Sequence, residues 1–168
     1  MKISSIEAIP LKIPFTHGGP SIAWAGRDWE FLEIVLVRIE TDSGLVGWGE
    51  AFSYNCQKAV VAMIEGSAPS VLVGKAVADR EQVMHELEVG MHLWGRYGIS
   101  MFAISGIDIA LWDLAAKAAN QSLGKMLGQC KEVLPAYASL LKYRDPVSYT
   151  HLRAHETEAD LVCRLLLE

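Results

Sequence analysis

This sequence has few cysteines, no long apolar run and no excess of basic residues. Its three cysteines, Cys56, Cys130 and Cys163, lie far apart and form no CxxC pair, so we expect neither a disulfide framework nor a zinc site. Reduced thiols favour a cytoplasmic location. No apolar run approaches about 18 residues, and we therefore expect no membrane span. The first residues lack the long apolar segment and small-residue cleavage site of a signal peptide.

The charge balance is mildly acidic. The formal net charge is −5, and no basic stripe is present to contact phosphates, so we expect no nucleic-acid partner. Hydrophobic residues make up 51% and charged residues 21% of the 168 positions, which is typical of a globular protein and not of a disordered one. That length suits one domain with a real core.

The first third of the chain has the pattern of strands. Ile3 to Ile13 mixes apolar and polar residues as a strand does, and Thr16 to Asp28 is rich in Gly and Pro and predicts a loop. Phe31 to Glu40 alternates, with Val35, Val37 and Ile39 on one face. A turn at Thr41–Gly44 leads into a third strand from Leu45 to Ala51. Short connections between successive strands predict an antiparallel meander.

From Cys56 onward the period becomes helical. We predict helices at Gln57–Ile64, at Glu81–Trp94 with Asp79 as the N-cap, and at Ile99–Asn120. A short helical run then stops near Gly128. Val133 to Leu140 is a short apolar run of strand type. Strands followed by helices predict the α+β class, here a three-stranded antiparallel meander followed by a helical bundle.

Two stretches carry a family resemblance, GLVGWGEA (Gly44–Ala51) and ISGIDIALWDLAAKAANQSLGKMLG (Ile104–Gly128). Together they resemble the N-terminal capping domain of the mandelate racemase and muconate lactonizing enzyme branch of the enolase superfamily. The resemblance implies a capping domain over residues 1–132, followed by the first strand of a (β/α)8 barrel over 133–143. Because such a barrel takes about 250 residues, we expect the chain to be a truncated one.

The last residues have a different character. Pro146 to Glu168 resembles the conceptual translation of a sequencing-library adapter, above all in VSYTHLRAHET (Val147–Thr157). We therefore interpret residues 144–168 as a non-native tail, with a genuine amphipathic C-terminal helix as the alternative. His151 and His155 have a spacing that two metal ligands on a helix could use, but no third ligand is obvious.

Several polar or glycine patterns have structural interpretations that we prefer. The spacing GxxGxG in Gly44–Gly49 is not the dinucleotide fingerprint, and we expect those glycines to serve a hairpin turn and close strand packing. His85, Glu88 and His92 could converge on a metal ion, but a polar outer helix face is the stronger interpretation. We expect the apolar contacts of this helix to come instead from Met84, Leu87, Met91, Leu93 and Trp94. Asp108 and Asp113 are five residues apart and point in different directions on a helix. We expect Asp108 to complement the helix dipole and Asp113 to form a packing or salt-bridge contact.

The loops are the better functional candidates, because loops can vary without disturbing a scaffold. The Thr16–Trp29 segment contains His17, Trp24 and Arg27, which can contact a polar ligand, and Tyr54 and Asn55 follow the third strand. The resemblance implies that two such loops close over the barrel mouth and select the substrate. We therefore predict these five residues as substrate-specificity residues.

The resemblance also implies the chemistry. It implies Mg²⁺-dependent removal of the proton α to a carboxylate, with metal ligands and bases on barrel strands that have no counterpart in this sequence. We thus expect no catalytic and no metal residue in this chain, and an inactive fragment. The complete enzyme is expected to be a cytoplasmic homo-oligomer and an acid-sugar dehydratase or racemase. The alternative is a stand-alone α+β binding or interaction module without catalysis.

Overall fold

The computed structural model of the chain describes residues 1–14, 23–24, 27–28, 30–95, 97–131 and 133–135, with the backbone alone at 23–24 and 27–28. Contacts divide the chain into two units. The first consists of Met1–Ile13 and Leu32–Gln129, and it contains the core and all the helices of the described residues. The second consists of Pro14–Phe31 and Cys130–Glu168, and within it the structure describes a two-stranded pairing.

The described strands lie at the start of the chain, as predicted. They are β1 (Ile3–Pro14), β2 (Ala23–Trp24), β3 (Arg27–Asp28), β4 (Phe31–Thr41) and β5 (Val46–Phe52). Three of them form one sheet in the order β1-β4-β5, and β2 pairs with β3 alone. Ser4 Oγ donates to Glu40 O at 3.0 Å, so the start of β1 lies beside the end of β4. The antiparallel meander is therefore confirmed.

Alternation along β4 separates a core face from an outer face. Val35, Val37 and Ile39 are fully buried, while the residues between them are partly exposed. The turn that follows places Gly44 at φ +79°, a conformation that glycine adopts without a steric penalty. Gly44 N–H donates to Thr41 O at 2.9 Å and closes the hairpin between β4 and β5.

The helices follow the strands and complete the α+β arrangement. They are α1 (Gln57–Leu72), α2 (Arg80–Gly90), α3 (Ile99–Ala118) and α4 (Leu123–Met126), with short 3₁₀ turns at Val77–Asp79 and His92–Trp94. Helix α1 runs eight residues beyond the predicted end at Ile64 and includes Pro69. Proline has no N–H to donate to Glu65 O, and because Glu65 is exposed, water can satisfy that carbonyl.

Helix α2 is shorter than predicted. It ends at Gly90, and the chain then forms a separate 3₁₀ turn. In that turn Leu93 is 81% and Trp94 is 56% exposed, so the expected apolar contacts of these two residues are wrong. Asp79 occupies the N-cap position as predicted, but its side chain makes no capping hydrogen bond.

Helix α3 is the central helix of the first unit. Its length and its mean hydropathy of 1.5 are those of a helix that could cross a membrane, whereas the sequence pattern predicts no membrane span. Half of this segment is buried within the protein, as in a core helix. Because α3 begins at Ile99, Asp108 lies in the middle of the helix, and its predicted role at the helix dipole is wrong. Asp108 instead accepts from Arg80 Nη1 at 2.9 Å. The Arg80 guanidinium also stacks 3.9 Å above the Trp112 ring.

Strand β5 and helix α3 approach each other through glycines. A Cβ added to Gly106 would lie 2.8 Å from Ala51 Cβ and 2.9 Å from Val37 Cγ2. A Cβ on Gly49 would collide with Gly106 O and lie 2.8 Å from Ala110 N. Gly106 O and Ala110 N are backbone atoms of α3, which cannot move aside as the end of a side chain could. The packing interpretation of the glycine pattern is therefore confirmed.

The free edge of β5 is covered by the same helix. Trp48 N–H donates to Asp113 Oδ2 at 2.8 Å, and Lys117 Nζ donates to Val46 O at 2.9 Å. Lys117 and Asp113 are themselves 2.6 Å apart. The predicted salt-bridge contact of Asp113 is confirmed. These contacts satisfy edge groups that could otherwise pair with another strand.

The end of the described chain is only partly as expected. The short helix α4 and a stop at Gly128, with φ +80°, are confirmed. The Ser122 hydroxyl accepts from Lys125 N–H at 3.3 Å and caps α4. Val133–Pro135 belong to no regular element, and the rest of the predicted strand to Leu140, together with the tail at 144–168, lies outside the described residues.

Candidate functional site

The connection between β5 and α1 carries two of the predicted specificity residues. We call Ser53–Cys56 the β5–α1 turn; it contains Tyr54 and Asn55. It leaves the sheet after the last β4–β5 pair, Ile34 with Phe52, and leads directly into Gln57, the first residue of α1. The position is an element boundary held by a rigid sheet, where specificity residues are commonly found.

Ser53 continues the contact between the two strands beyond the last backbone pair, through a hydrogen bond of its side chain. Its Oγ donates to Glu33 O at 3.1 Å, and the residue is fully buried. Cys56 N–H then donates to Ser53 O at 2.9 Å and closes the turn. The first and last residues of the turn are therefore fixed by hydrogen bonds.

Asn55 has an unusual backbone conformation. Its φ is +59°, a region that residues with a Cβ rarely adopt, although Asn adopts it more often than most. Among the described residues, one other residue with a side chain has positive φ: Asn120, at +51°. Asn120 follows the last turn of α3, where such a conformation ends helices routinely, and Gln121 N–H donates to Ala116 O. Asn55 instead precedes α1, so the end of a helix does not explain its positive φ.

Contacts with Glu33 and Gln57 hold the turn against the sheet. Asn55 N–H donates to Glu33 Oε2 at 3.3 Å. Gln57 Nε2 donates to Leu11 O at 2.8 Å and to Ile34 O at 2.9 Å, which joins the start of α1 to both β1 and β4. The turn is thus preformed, with Asn55 exposed at its surface and Tyr54 half-buried.

The Glu33 carboxylate, which accepts from Asn55 N–H, also contacts a lysine. Glu33 Oε1 lies 3.8 Å from Lys12 Nζ on β1. Partial burial of the Cys56 thiol, and secondly the negative charge of Glu33, raise the pKa of that thiol above its usual value of 9.0. At neutral pH Cys56 is therefore protonated, and it is a poor nucleophile and metal ligand.

The remaining predicted specificity residues lie in the second unit. His17 lies outside the described residues. Trp24 pairs with Arg27 across the antiparallel β2–β3 pair, and the structure describes their backbone only. The prediction of a loop throughout Thr16–Asp28 is wrong in this part, because Ala23–Trp24 and Arg27–Asp28 pair as short antiparallel strands.

The other acidic and histidine patterns form no site in the part of the chain that the structure describes. His85, Glu88 and His92 are exposed, and His92 lies beyond the end of α2, with its Nδ1 2.6 Å from Val89 O. Within the described ranges, no group of three or more His, Cys, Asp or Glu side chains could hold a metal ion. The described residues therefore offer no ligand set that fits a magnesium ion.

Two residues of the turn's support were missed from the sequence. Glu33 is a charged residue within an otherwise apolar stretch, Phe31–Ile34. That exception is the one feature of the sequence that could have indicated a supporting role. Gln57 was placed correctly at the start of α1. Its amide contacts with Leu11 and Ile34 join positions 46 and 23 residues away, which helical periodicity does not reveal.

Comparison with known proteins agrees with this architecture. Residues 22–128 match the family model described as mandelate racemase / muconate lactonizing enzyme, N-terminal domain. An arabinonate dehydratase of Saccharolobus solfataricus is 34% identical over 125 residues, which are 74% of this chain and 34% of that enzyme. A D-galactarolactone cycloisomerase of Agrobacterium fabrum is 36% identical over 73% of this chain and 32% of its own length.

Solved structures give the same result. A racemase from Streptomyces coelicolor A3(2) with bound magnesium superimposes with a TM-score of 0.79 at 28% identity, over 94% of this chain and 44% of that chain. An L-talarate/galactarate dehydratase liganded with Mg and L-glucarate gives a TM-score of 0.72 at 25% identity, over 81% of this chain and 35% of the dehydratase. The chain spans about a third of the length of the curated relatives described above.

Proposed function

Because this chain belongs to the mandelate racemase and muconate lactonizing enzyme family of the enolase superfamily, we propose that it forms the capping part of an enzyme acting on an acid sugar. The reaction would begin with removal of the proton α to the substrate carboxylate. Relatives named as an arabinonate dehydratase and a D-galactarolactone cycloisomerase support this substrate class. Among the possible reactions we favour dehydration, with racemization and cycloisomerization as alternatives.

The preformed β5–α1 turn is the observation that carries the proposal. An exposed asparagine held at φ +59° is a backbone strain that the surrounding contacts must maintain, and such strain is concentrated at functional sites. The Asn55 carboxamide offers both a donor and an acceptor, and the Tyr54 hydroxyl offers the same. A polyhydroxy acid presents alternating donors and acceptors that suit these groups.

The role of this chain would be to bind and orient the substrate and to exclude water. A cap that closes over a reaction centre raises the strength of the electrostatic interactions inside it and fixes the substrate in a reactive geometry. In the family, magnesium supplies stabilisation of the charge that develops on the carboxylate. The described residues of this chain do not fit that ion, so we assign no catalytic or metal residue here and expect the chain alone to be inactive.

A chimera tests the proposal. The capping part of the arabinonate dehydratase would be replaced by residues 1–131 of this chain, and a panel of sugar acids would be assayed for dehydration. We expect measurable dehydration with a changed order of preferred substrates. In a second chimera, Asn55→Gly keeps the backbone conformation and removes the carboxamide. We expect its KM to rise by about tenfold, as for loss of one or two substrate hydrogen bonds.

The chain alone serves as the control and tests the alternative of a stand-alone binding module. The 168-residue chain would be incubated with magnesium and each sugar acid in D₂O, and exchange of the α-proton would be followed by NMR. Exchange by the chain alone would contradict the expected inactivity. A well-folded chimera whose substrate preference is that of the parent, unaffected by Asn55→Gly, would contradict the specificity role and favour the binding module.

A further inference from the structure

We propose that Glu33 is a positioning residue that presets the β5–α1 turn and thereby orients Tyr54 and Asn55. The inference rests on the proposed function insofar as these two side chains contact substrate. Its physical part, the control of the turn by one side chain of β4, stands on contacts of the first unit alone.

Alternate residues of the chain from Ser53 to Gln57 reach back to the sheet. Ser53 Oγ donates to Glu33 O, and Asn55 N–H donates to the carboxylate of the same residue. Gln57 Nε2 donates to Ile34 O, one residue further along β4. Tyr54 and Cys56 lie between these three residues, so each of the two has a hydrogen-bonded neighbour on either side.

The contact of Asn55 differs from those of Ser53 and Gln57 because its acceptor on β4 is a side chain, the Glu33 carboxylate. The contacts of Ser53 and Gln57 go to backbone carbonyls and do not involve the side chain at position 33. The contact of Asn55 requires a carboxylate or a similar acceptor at that position. It also fixes the amide of the residue whose backbone is in the left-handed region. A change at Glu33 should therefore loosen Asn55 without dissolving the turn.

The charge of Glu33 has a second effect in the same turn. The carboxylate raises the pKa of the Cys56 thiol, after the larger effect of burial. Lys12 Nζ lies 3.8 Å from Oε1 of the same carboxylate. The pH dependence of Cys56 alkylation therefore reports whether the Glu33 carboxylate stays beside the turn, and no substrate is needed for the measurement.

The test uses the full chain with Cys130→Ser and Cys163→Ser, so that Cys56 is the one remaining thiol. Amide exchange of Asn55 would be measured by NMR, and the pH profile of Cys56 alkylation by iodoacetamide, in Glu33→Ala and Glu33→Gln. We expect exchange at Asn55 to rise by about three- to tenfold in Glu33→Ala and by less in Glu33→Gln, which keeps an acceptor. Both variants should shift the alkylation profile to lower pH, because both remove the charge.

Amides of α3 report the overall fold, and Glu50→Gln is the matched control. Glu50 is an exposed carboxylate of β5, and we expect neither Asn55 exchange nor Cys56 alkylation to change in this variant. If Glu33→Ala also lowers the protection of the α3 amides against exchange, that variant is destabilised overall. The result for Glu33→Gln then decides the test alone. Unchanged exchange and an unchanged alkylation profile in a folded variant would overturn the proposal. An Asn55 amide unprotected in the parent chain would also overturn it, because the turn would then not be held.

These outcomes are separate from those of the chimeras. If Glu33 controls the turn but the chimeras dehydrate no sugar acid, the positioning role stands and the proposed function fails. If the chimeras respond to Asn55→Gly but the turn does not respond to Glu33, the function stands and the positioning role fails.

Discussion

The β5–α3 contact and the β5–α1 turn begin on the same strand but are fixed by different forces. At the contact, Gly47, Gly49 and Gly106 bring backbone against backbone, and no side chain fits between them. At the turn, the chain is held by a few hydrogen bonds, and Asn55 is exposed. Steric contact thus fixes the scaffold, while polar contacts fix the turn that we propose to meet the substrate.

The largest expected effect is a methyl group at the glycine contact. In Gly49→Ala, the new Cβ would collide with Gly106 O and approach Ala110 N, so the helix must move away from the strand. We expect a loss of roughly 3 kcal/mol or more in the free energy of unfolding, measured by urea denaturation. Gly66→Ala in α1 is the control, because a Cβ there meets nothing within 4 Å. That variant should gain about 0.5–1 kcal/mol. Similar stabilities of the two variants would refute the steric account.

The covered edge of β5 should show an intermediate effect. Asp113→Ala removes the acceptor of Trp48 N–H and the partner of Lys117. Because the contact is charge-assisted but partly exposed, we expect a loss of about 1–2 kcal/mol, measured by chemical denaturation. Glu88→Ala, at an exposed position of α2, is the control and should change stability little. An equal effect of both variants would mean that the edge contact adds nothing.

Backbone strain at the turn should be visible as a difference between two substitutions. Asn55→Ala places a Cβ-bearing residue without a polar side chain at φ +59°, whereas Asn55→Gly removes the strain. We expect alanine to be about 1 kcal/mol less stable than glycine, measured by thermal unfolding. The same pair at Asn120, where φ is +51°, provides a matched reference at a helix end. If alanine and glycine are equally stable at position 55, the strain is not real.

The smallest effect is expected at a half-buried ion pair, Lys75 with Glu86, away from both regions. The hydrogen bond from Lys75, and secondly that from Gln82, lowers the pKa of Glu86 below its usual value of 4.5. A lowered folded-state pKa stabilises the protein above the unfolded-state value, and the gain is lost as the pH falls through the folded value. Glu86→Gln should therefore lower the Tm slightly at neutral pH and not in strong acid. Glu81→Gln is the control; a difference that persists at acidic pH would contradict this account.

The success of the sequence predictions depends on how local their causes are. The buried alternation of Val35, Val37 and Ile39 and the glycine packing of β5 follow from short periodic patterns, and both are confirmed. The end of α2 was misjudged because Leu93 and Trp94 continue an apolar pattern but are exposed. Asp108 was misjudged because it lies in the middle of α3, away from the first turn where the helix dipole acts, and its partner, Arg80, lies on another helix. Trp24 and Arg27 were placed in a loop, although a two-residue pairing joins them.

The candidate site divides in the same way. Tyr54 and Asn55 were found because polar and aromatic residues follow the end of a strand, a signal that can be read directly. Their specificity role, like that of His17, Trp24 and Arg27, stays a prediction. The support of the turn was not found, because Glu33 lies 22 residues before Asn55 in the chain, on the strand next to the one that leads into the turn.

The sequence was sufficient for the class of the fold and for the order of β1, β4, β5 and the helices, because hydrophobic period and turn residues are local properties. The family followed from the resemblance of Gly44–Ala51 and Ile104–Gly128 to known proteins. The tertiary structure alone decided which polar groups meet. Glu33 with Asn55, Gln57 with two strands, and Asp113 with the edge of β5 are pairings between distant segments. Hydrogen bonds act over about 3 Å and therefore depend on how the folded elements are placed, which no periodicity along the chain encodes.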